Sequence, residues 1–181
     1  GGLVWDVTMP PGPLPRQVMG ATQVLDFMRA ESARVKDGPV GAQVRADLEA
    51  RFVHNLDRPV KLPTVLSTHR RYGYTVVVTS SRHFVVKTFV PVCSNNALLP
   101  RTKKGVVREI LLQTVAGHVG HPPIRVPRIM CWGTYAVGRR RRREGMFFRM
   151  EFARGVPVGK IVGGVPRTVY DGVREFVNLL L

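Results

Sequence analysis

Apolar residues in the first third of the chain recur at helical intervals and predict two helices. The first extends from Arg16 to about Lys36, where an Asp-Gly-Pro sequence indicates its end. The second carries a narrow apolar stripe with a spacing of four residues, which is typical of a helix on the protein surface. The stripe consists of Val40, Val44, Leu48 and Phe52. The proline-rich residues 1–14 predict an extended arm before both helices.

From residue 64 onward, short runs of β-branched and aromatic residues predict strands instead. Residues 74–79 and 83–89 form the clearest pair, a hairpin joined by a Ser-Ser-Arg turn. A helix from Gly105 to about His118 follows, then two more strands and a final helix at residues 167–181. This order predicts an α+β fold, a five-stranded and mostly antiparallel sheet with one inserted helix and a helical extension before it.

The chain divides into three expected segments. Residues 1–60 form the proline-rich arm and the helical extension, residues 61–155 form the sheet domain, and residues 156–181 form a connector and a helix. Hydrophobic residues make up 44% of the chain and charged residues 22%, which permits a packed core and excludes a wholly disordered chain. No apolar run approaches the length of a membrane span, so no membrane partner is expected.

The net charge of +16 favours polyanionic partners, namely nucleic acid, nucleotide phosphates or acidic protein surfaces. A run of five arginines between two predicted strands indicates an exposed turn and a candidate contact for nucleic acid. The run consists of Arg139, Arg140, Arg141, Arg142 and Arg143. The two cysteines lack the spacing of a metal site, so no metal is expected. They favour a reducing compartment, cytoplasmic or nuclear.

Lys87 is a single cation inside an apolar strand and needs an anionic partner. An unpaired buried ammonium group would cost several kcal/mol, on the order of the penalty for any isolated buried charge. Glu109, on the inserted helix, is the only acid between Asp57 and Glu144. We therefore expect an ion pair between Lys87 and Glu109. The alternative is an ordinary edge lysine and an unrelated glutamate on a helix.

Together with a later Met-Glu-Phe-Ala-Arg-Gly sequence, this pair resembles the amino-terminal lobe of the protein-kinase-like fold. The resemblance implies that Lys87 contacts the phosphates of ATP and that Glu109 orients Lys87. It also implies that Val85 covers the adenine and that Met150 is the gatekeeper. At the hinge, the resemblance implies that the carbonyl of Glu151 accepts a hydrogen bond from the adenine amino group and that the N–H of Ala153 donates to a ring nitrogen.

The phosphate-binding loop of the family is only partly present. Of its glycines the sequence keeps Gly73, which could equally be an ordinary turn glycine. The catalytic H-R-D and D-F-G motifs, which supply the base and the magnesium ligands, do not occur. Either a catalytic lobe follows residue 181, or the fold is not catalytic. Magnesium is expected only with such a lobe.

The leading hypothesis is therefore an ATP-binding lobe of a serine/threonine protein kinase that transfers the γ-phosphate to protein. The long loops and many arginines resemble divergent kinases of large DNA viruses. One alternative is a non-catalytic, pseudokinase-like scaffold, for example a virion component. Another is a basic nucleic-acid-binding protein, whose affinity for nucleic acid would fall steeply with salt.

Overall fold

The computed structural model describes residues 19–92, 96–120, 124–140, 142–155 and 163–180. The predicted proline-rich arm lies outside these residues. The described elements are four helices and six strands. The helices are α1 (Ala21–Ser32), α2 (Gly38–Ala50), α3 (Pro100–Val119) and α4 (Arg167–Leu180). The strands are β1 (Phe52–Leu56), β2 (Thr64–Arg71), β3 (Tyr74–Ser80), β4 (Phe84–Pro91), β5 (Ile129–Val137) and β6 (Arg143–Glu151).

The six strands form one sheet in the order β1-β5-β6-β4-β3-β2. All neighbouring strands are antiparallel except β1 and β5, which are parallel. The predicted α+β class is therefore confirmed, whereas the predicted number of strands is wrong by one. The missed strand is β1, because Phe52 completes a helical stripe in the sequence. In the structure the helix ends before Phe52, whose ring packs 4.7 Å from the ring of Trp132 on β5.

The second helix packs on the core through one narrow stripe and exposes its other side, so its predicted position on the surface is confirmed. Val44 and Leu48 of α2 are fully buried, and they share one hydrophobic core with α1, α3 and the sheet. The indole N–H of Trp132 donates to the carbonyl of Leu48 at 2.8 Å, which joins α2 to β5. The helix begins where Asp37 accepts a hydrogen bond from the N–H of Val40 at 3.1 Å. The narrow apolar stripe is sufficient to hold α2 on the core, because it packs against both another helix and the sheet.

Strand β4 lies inside the sheet, between β3 and β6, and its side chains alternate between two faces. We call the face that packs against the helices the inner face and the opposite one the outer face. Lys87 and Phe89 lie on the inner face, directly opposite Phe148 and Met146 of β6. Thr88 lies on the outer face. One strand therefore supplies side chains to two separate surfaces.

A segment of seven residues, 57–63, connects β1 at one edge of the sheet to β2 at the opposite edge. The N–H of Leu62 donates to the hydroxyl of Thr79 at 3.1 Å, and Thr79 lies on the outer face. The segment therefore crosses the outer face, whereas α1, α2 and α3 pack on the inner face. We call residues 57–63 the crossover segment.

Lys103, in the first turns of α3, is an almost fully buried lysine with a relative exposure of 2%. Its ammonium group donates to the carbonyl of Met19 at 2.5 Å, which fixes the chain ahead of α1 onto α3. Burial lowers the pKa of Lys103, and the negative charge of Glu144 opposes that shift. The folded protein therefore holds this proton less tightly than the unfolded chain does.

We predict that Lys103 makes the free energy of unfolding rise with pH as the pH approaches 10.5, the ordinary lysine value. In that range the unfolded chain binds more protons than the folded protein, and stability then increases with pH. Denaturant unfolding from pH 8 to pH 10 should show a shallower rise for Lys103→Met than for the native chain. Parallel pH profiles for the two proteins would contradict the prediction.

Candidate functional site

The structure brings Lys87 and Glu109 together across the interface between β4 and α3. The Nζ atom of Lys87 lies 2.5 Å from Oε1 of Glu109. The same ammonium group lies 5.5 Å from the centre of the Phe148 ring, within range of a cation–π interaction. The ammonium group is therefore held by a carboxylate on one side and an aromatic ring on the other.

This ion pair is too exposed to contribute much to stability. The side chains of Lys87 and Glu109 have relative solvent exposures of 30% and 40%. Pairs this open to solvent typically contribute about 1 kcal/mol or less. The pair thus fixes the position of one positive charge beside solvent, where an anionic ligand could reach it.

A cavity of about 570 Å³ lies next to this pair, between the tip of the β2–β3 hairpin and the first turns of α3. We call it the inner cavity. Glu109 contributes a carboxylate to its wall, and Arg71 and Arg101 contribute two guanidinium groups. Its lining residues are Arg71, Tyr72, Tyr74, Phe89, Leu99, Arg101, Thr102, Gly105, Val106 and Glu109. The inner cavity combines an aromatic and apolar wall with positive charge, which suits an anion that carries an apolar part.

Val85 and Met150 lie directly opposite each other on β4 and β6, on the same inner face as Lys87. Val85 is buried, whereas Met150 is half-buried and its sulfur accepts a hydrogen bond from Gln113 at 3.3 Å. Two of the predicted adenine contacts therefore share a face with Lys87. They stand at the end of the sheet away from the β2–β3 hairpin tip.

The predicted hinge follows at the end of β6. The backbone N–H of Glu151, the last residue of that strand, donates to the carbonyl of Arg128 at 3.0 Å. The N–H of Phe152 donates to the carbonyl of His83 at 2.9 Å. Ala153 lies beyond these contacts and is exposed. The chain therefore leaves the sheet between Phe152 and Ala153, on a solvent-accessible edge.

Gly73 occupies the two-residue turn between β2 and β3. Its φ of +84° is a conformation that glycine adopts without strain, so the turn itself explains the residue. Arg71 and Tyr74 pair directly on either side of the turn, and Tyr72 at its tip is 97% exposed. The turn is much tighter than a loop of several glycines, so arginine side chains rather than backbone N–H groups face the inner cavity here.

Sequence reasoning missed the arginines of the inner cavity. Arg71 and Arg101 belong to a chain with 28 basic residues, and of the two only Arg71 lies near a residue that the sequence singles out, Gly73. The pairing of β2 with β3, and the start of α3 at Pro100, bring them to one cavity. No local pattern in the sequence distinguishes Arg101.

Four of the five consecutive arginines lie in the described residues, and all four are exposed: Arg139, Arg140, Arg142 and Arg143. Arg141 lies outside the described residues. Arg143 begins β6, so the turn is shorter than the whole run, and Arg142 forms an ion pair with Glu144 at 3.3 Å. The run stands at the end of the sheet where β5 ends and β6 begins, far along the strands from Met150.

Comparison with known proteins found no match, whether to family models, to curated proteins or to solved structures. Among the described residues, no group of three or more potential ligands could hold a metal ion. None of the described helices is long and apolar enough to cross a membrane. The functional interpretation of the site depends on its own geometry.

We predict that the interaction between Lys87 and Glu109 contributes about 1 kcal/mol or less to stability, as expected for a pair this exposed. A double-mutant cycle with Lys87→Met, Glu109→Gln and the combined variant measures the coupling by urea unfolding. A coupling energy well above about 2 kcal/mol would show that the pair is chiefly structural, in the range of buried pairs.

Proposed function

We propose that this chain is the ATP-binding lobe of a kinase-like protein, and that it acts together with a catalytic lobe in a serine/threonine protein kinase. The observation that carries the proposal is the fixed ammonium group of Lys87, held 2.5 Å from Glu109 beside the inner cavity. A strand lysine held by a helix glutamate is the arrangement that protein kinases use to contact nucleotide phosphates. The order of elements, three strands, a helix and two strands, agrees with the same resemblance.

The inner face offers complementary chemistry for both parts of a nucleotide. Val85 and Met150 provide an apolar surface for the purine near the end of β6. Arg71 and Arg101 line the inner cavity, and Lys87 lies beside it on Glu109; together they would provide positive charge toward the phosphates. The inner cavity of about 570 Å³ would hold the phosphate side of the nucleotide, with the purine extending along the inner face toward Val85 and Met150. ATP, when bound, would supply the transferable phosphoryl group, and these residues would bind and orient it.

In this proposal, the residues of this chain bind and orient ATP but do not transfer its phosphoryl group. Transfer of a phosphoryl group requires an aspartate that accepts the proton of the acceptor hydroxyl and carboxylate ligands for magnesium. The sequence contains no H-R-D or D-F-G motif that could supply them. Magnesium and catalysis would therefore require residues of another lobe.

A non-catalytic, pseudokinase-like scaffold is the second candidate, and the tight turn at Tyr72 and Gly73 favours it. A two-residue turn offers few backbone N–H groups to phosphates, whereas a loop of several glycines offers many. The arginines near this turn could bind acidic protein surfaces as well as phosphates. The two candidates differ in one measurable property, the affinity of the chain for ATP.

We predict that the intact chain binds ATP and that Lys87→Met lowers the affinity by about tenfold or more, since a charge-assisted hydrogen bond contributes about 1.5–3 kcal/mol. Glu109→Gln should lower it less, because the ammonium group remains but loses its anchor. Isothermal titration calorimetry measures all three affinities.

Lys61→Met is the matched control, because it removes the same charge from the outer side of the sheet. Its affinity for ATP should equal that of the native chain. Equal ATP affinities for Lys87→Met and the native chain would overturn the proposed site. Absence of ATP binding in every protein would instead favour the scaffold.

A further inference from the structure

A second concave surface of the described residues lies on the outer face, away from Lys87 and Glu109. It is a groove of about 770 Å³, and we call it the outer groove. The crossover segment contributes Pro59 and Lys61 to its wall. Its floor is formed by alternate residues of the central strands, which cannot reach the inner face. The outer groove is therefore a separate site from the inner cavity.

The floor of the outer groove is β-branched and mostly apolar, with Thr75, Thr79 and Thr88 among its valines. Val77, Val90 and Val137 come from β3, β4 and β5, and they retain partial exposure. The groove extends from β5 to β2, across four strand spacings, which amounts to roughly 19 Å. This shape suits a long and thin apolar group that lies across the strands.

Positive charges concentrate at one end of the groove. Arg70 and Arg71 stand at the end of β2, and Arg143 stands at the start of β6. The strand register places these two positions at the same end of the sheet, where the exposed arginine turn also lies. Lys61 adds a further cation farther along the groove, because the N–H of the next residue, Leu62, donates to Thr79, four residues along β3 from Thr75, the partner of Arg70. Among the described residues that line the groove, none is acidic.

We propose that the outer groove binds a long-chain fatty acid, with the acyl chain on the valine floor and the carboxylate at the arginine end, beside Arg70. Burial of the acyl chain removes apolar surface of both ligand and floor from water. The carboxylate would meet a guanidinium group without a competing acid in the lining, and Lys61 would add to the positive potential of the groove. Both halves of such a ligand therefore find a complementary surface.

A peptide fits this groove less well than an acyl chain does. The backbone groups of the central strands are already paired within the sheet, from β3 through β4 to β6. An extended peptide lying on this face would therefore bury its own N–H and C=O groups without backbone partners. An acyl chain has no such groups to satisfy.

A nucleic acid also fits less well, because bases bind open surfaces chiefly by stacking on aromatic rings. Tyr135 is the one aromatic residue among the described lining residues. It is 2% exposed, and its hydroxyl donates to the carbonyl of Phe89 at 2.9 Å. The ring is therefore not available as a stacking platform.

The test is calorimetric titration of the intact chain with laurate below its micelle concentration. We expect saturable binding of laurate, with much weaker binding of acetate, which lacks the tail, and of dodecanol, which lacks the charge. The combined variant Arg70→Gln, Lys61→Gln should lower the laurate affinity by about tenfold or more. Both substitutions are at exposed positions, so the variant should fold.

Arg101→Gln is the matched control, because Arg101 is an exposed arginine that lines the inner cavity and not the outer groove. Its laurate affinity should equal that of the native chain. A second variant, Val77→Glu, places a negative charge on the floor and should also reduce binding. The native circular dichroism spectrum of each variant is required before its affinity is compared.

Absence of laurate binding to the native chain, or equal laurate affinity in the Arg70→Gln, Lys61→Gln variant, would overturn the proposal. Displacement of laurate by a single-stranded oligonucleotide or by an acidic peptide at lower concentration would assign the groove to that other partner and would also overturn it. The laurate result can be told apart from the ATP result, because Arg70 and Lys61 line the outer groove and not the inner cavity, whereas Arg101 lines the inner cavity and not the outer groove.

Discussion

The alternation of side chains along β4 is the constraint on which both candidate sites depend. The strand is hydrogen-bonded on both sides, to β3 and to β6, so its register cannot shift without loss of two ladders. Lys87 consequently points to the helices and meets Glu109, whereas Thr88 points to the outer groove. A shift by one residue would bury the ammonium group among the outer valines and remove its partner. The position of a single charge is thus fixed by the pairing of the whole sheet.

The two faces differ in what covers them, and this difference separates their chemistry. Three helices cover the inner face, and they leave open the region beside α3 where Lys87, Glu109 and the inner cavity lie. Of the part of the chain that the structure describes, the crossover segment crosses the outer face and leaves the valine floor partly exposed. Arg71 stands where the two surfaces meet and lines both cavities. Its charge could therefore serve a ligand on either side, which is why Arg70 and Arg101 are the more discriminating positions.

The sequence alone predicts a contact where one partner is of a rare residue type. It does not predict contacts that depend on the order of the strands in the sheet. The pairing of Lys87 with Glu109 could be expected because no other acid lies between Asp57 and Glu144. Strand β1 could not be expected, because Phe52 continues a helical stripe and the strand is defined by its parallel pairing with the distant β5. The outer groove was equally hidden, since its wall exists only because β1 and β2 lie at opposite edges of one sheet. Functional roles carried by the kinase resemblance remain predictions that binding measurements must decide.

The most direct test of the central claim is a nuclear magnetic resonance titration of the isotope-labelled chain with ATP. If the nucleotide binds beside the fixed ammonium group, the largest changes in amide chemical shift should fall on Val85, Lys87 and Met150 and on the turns of α3 around Glu109. Changes confined to the arginine turn or to the crossover segment, with none on the inner face of β4, would contradict it.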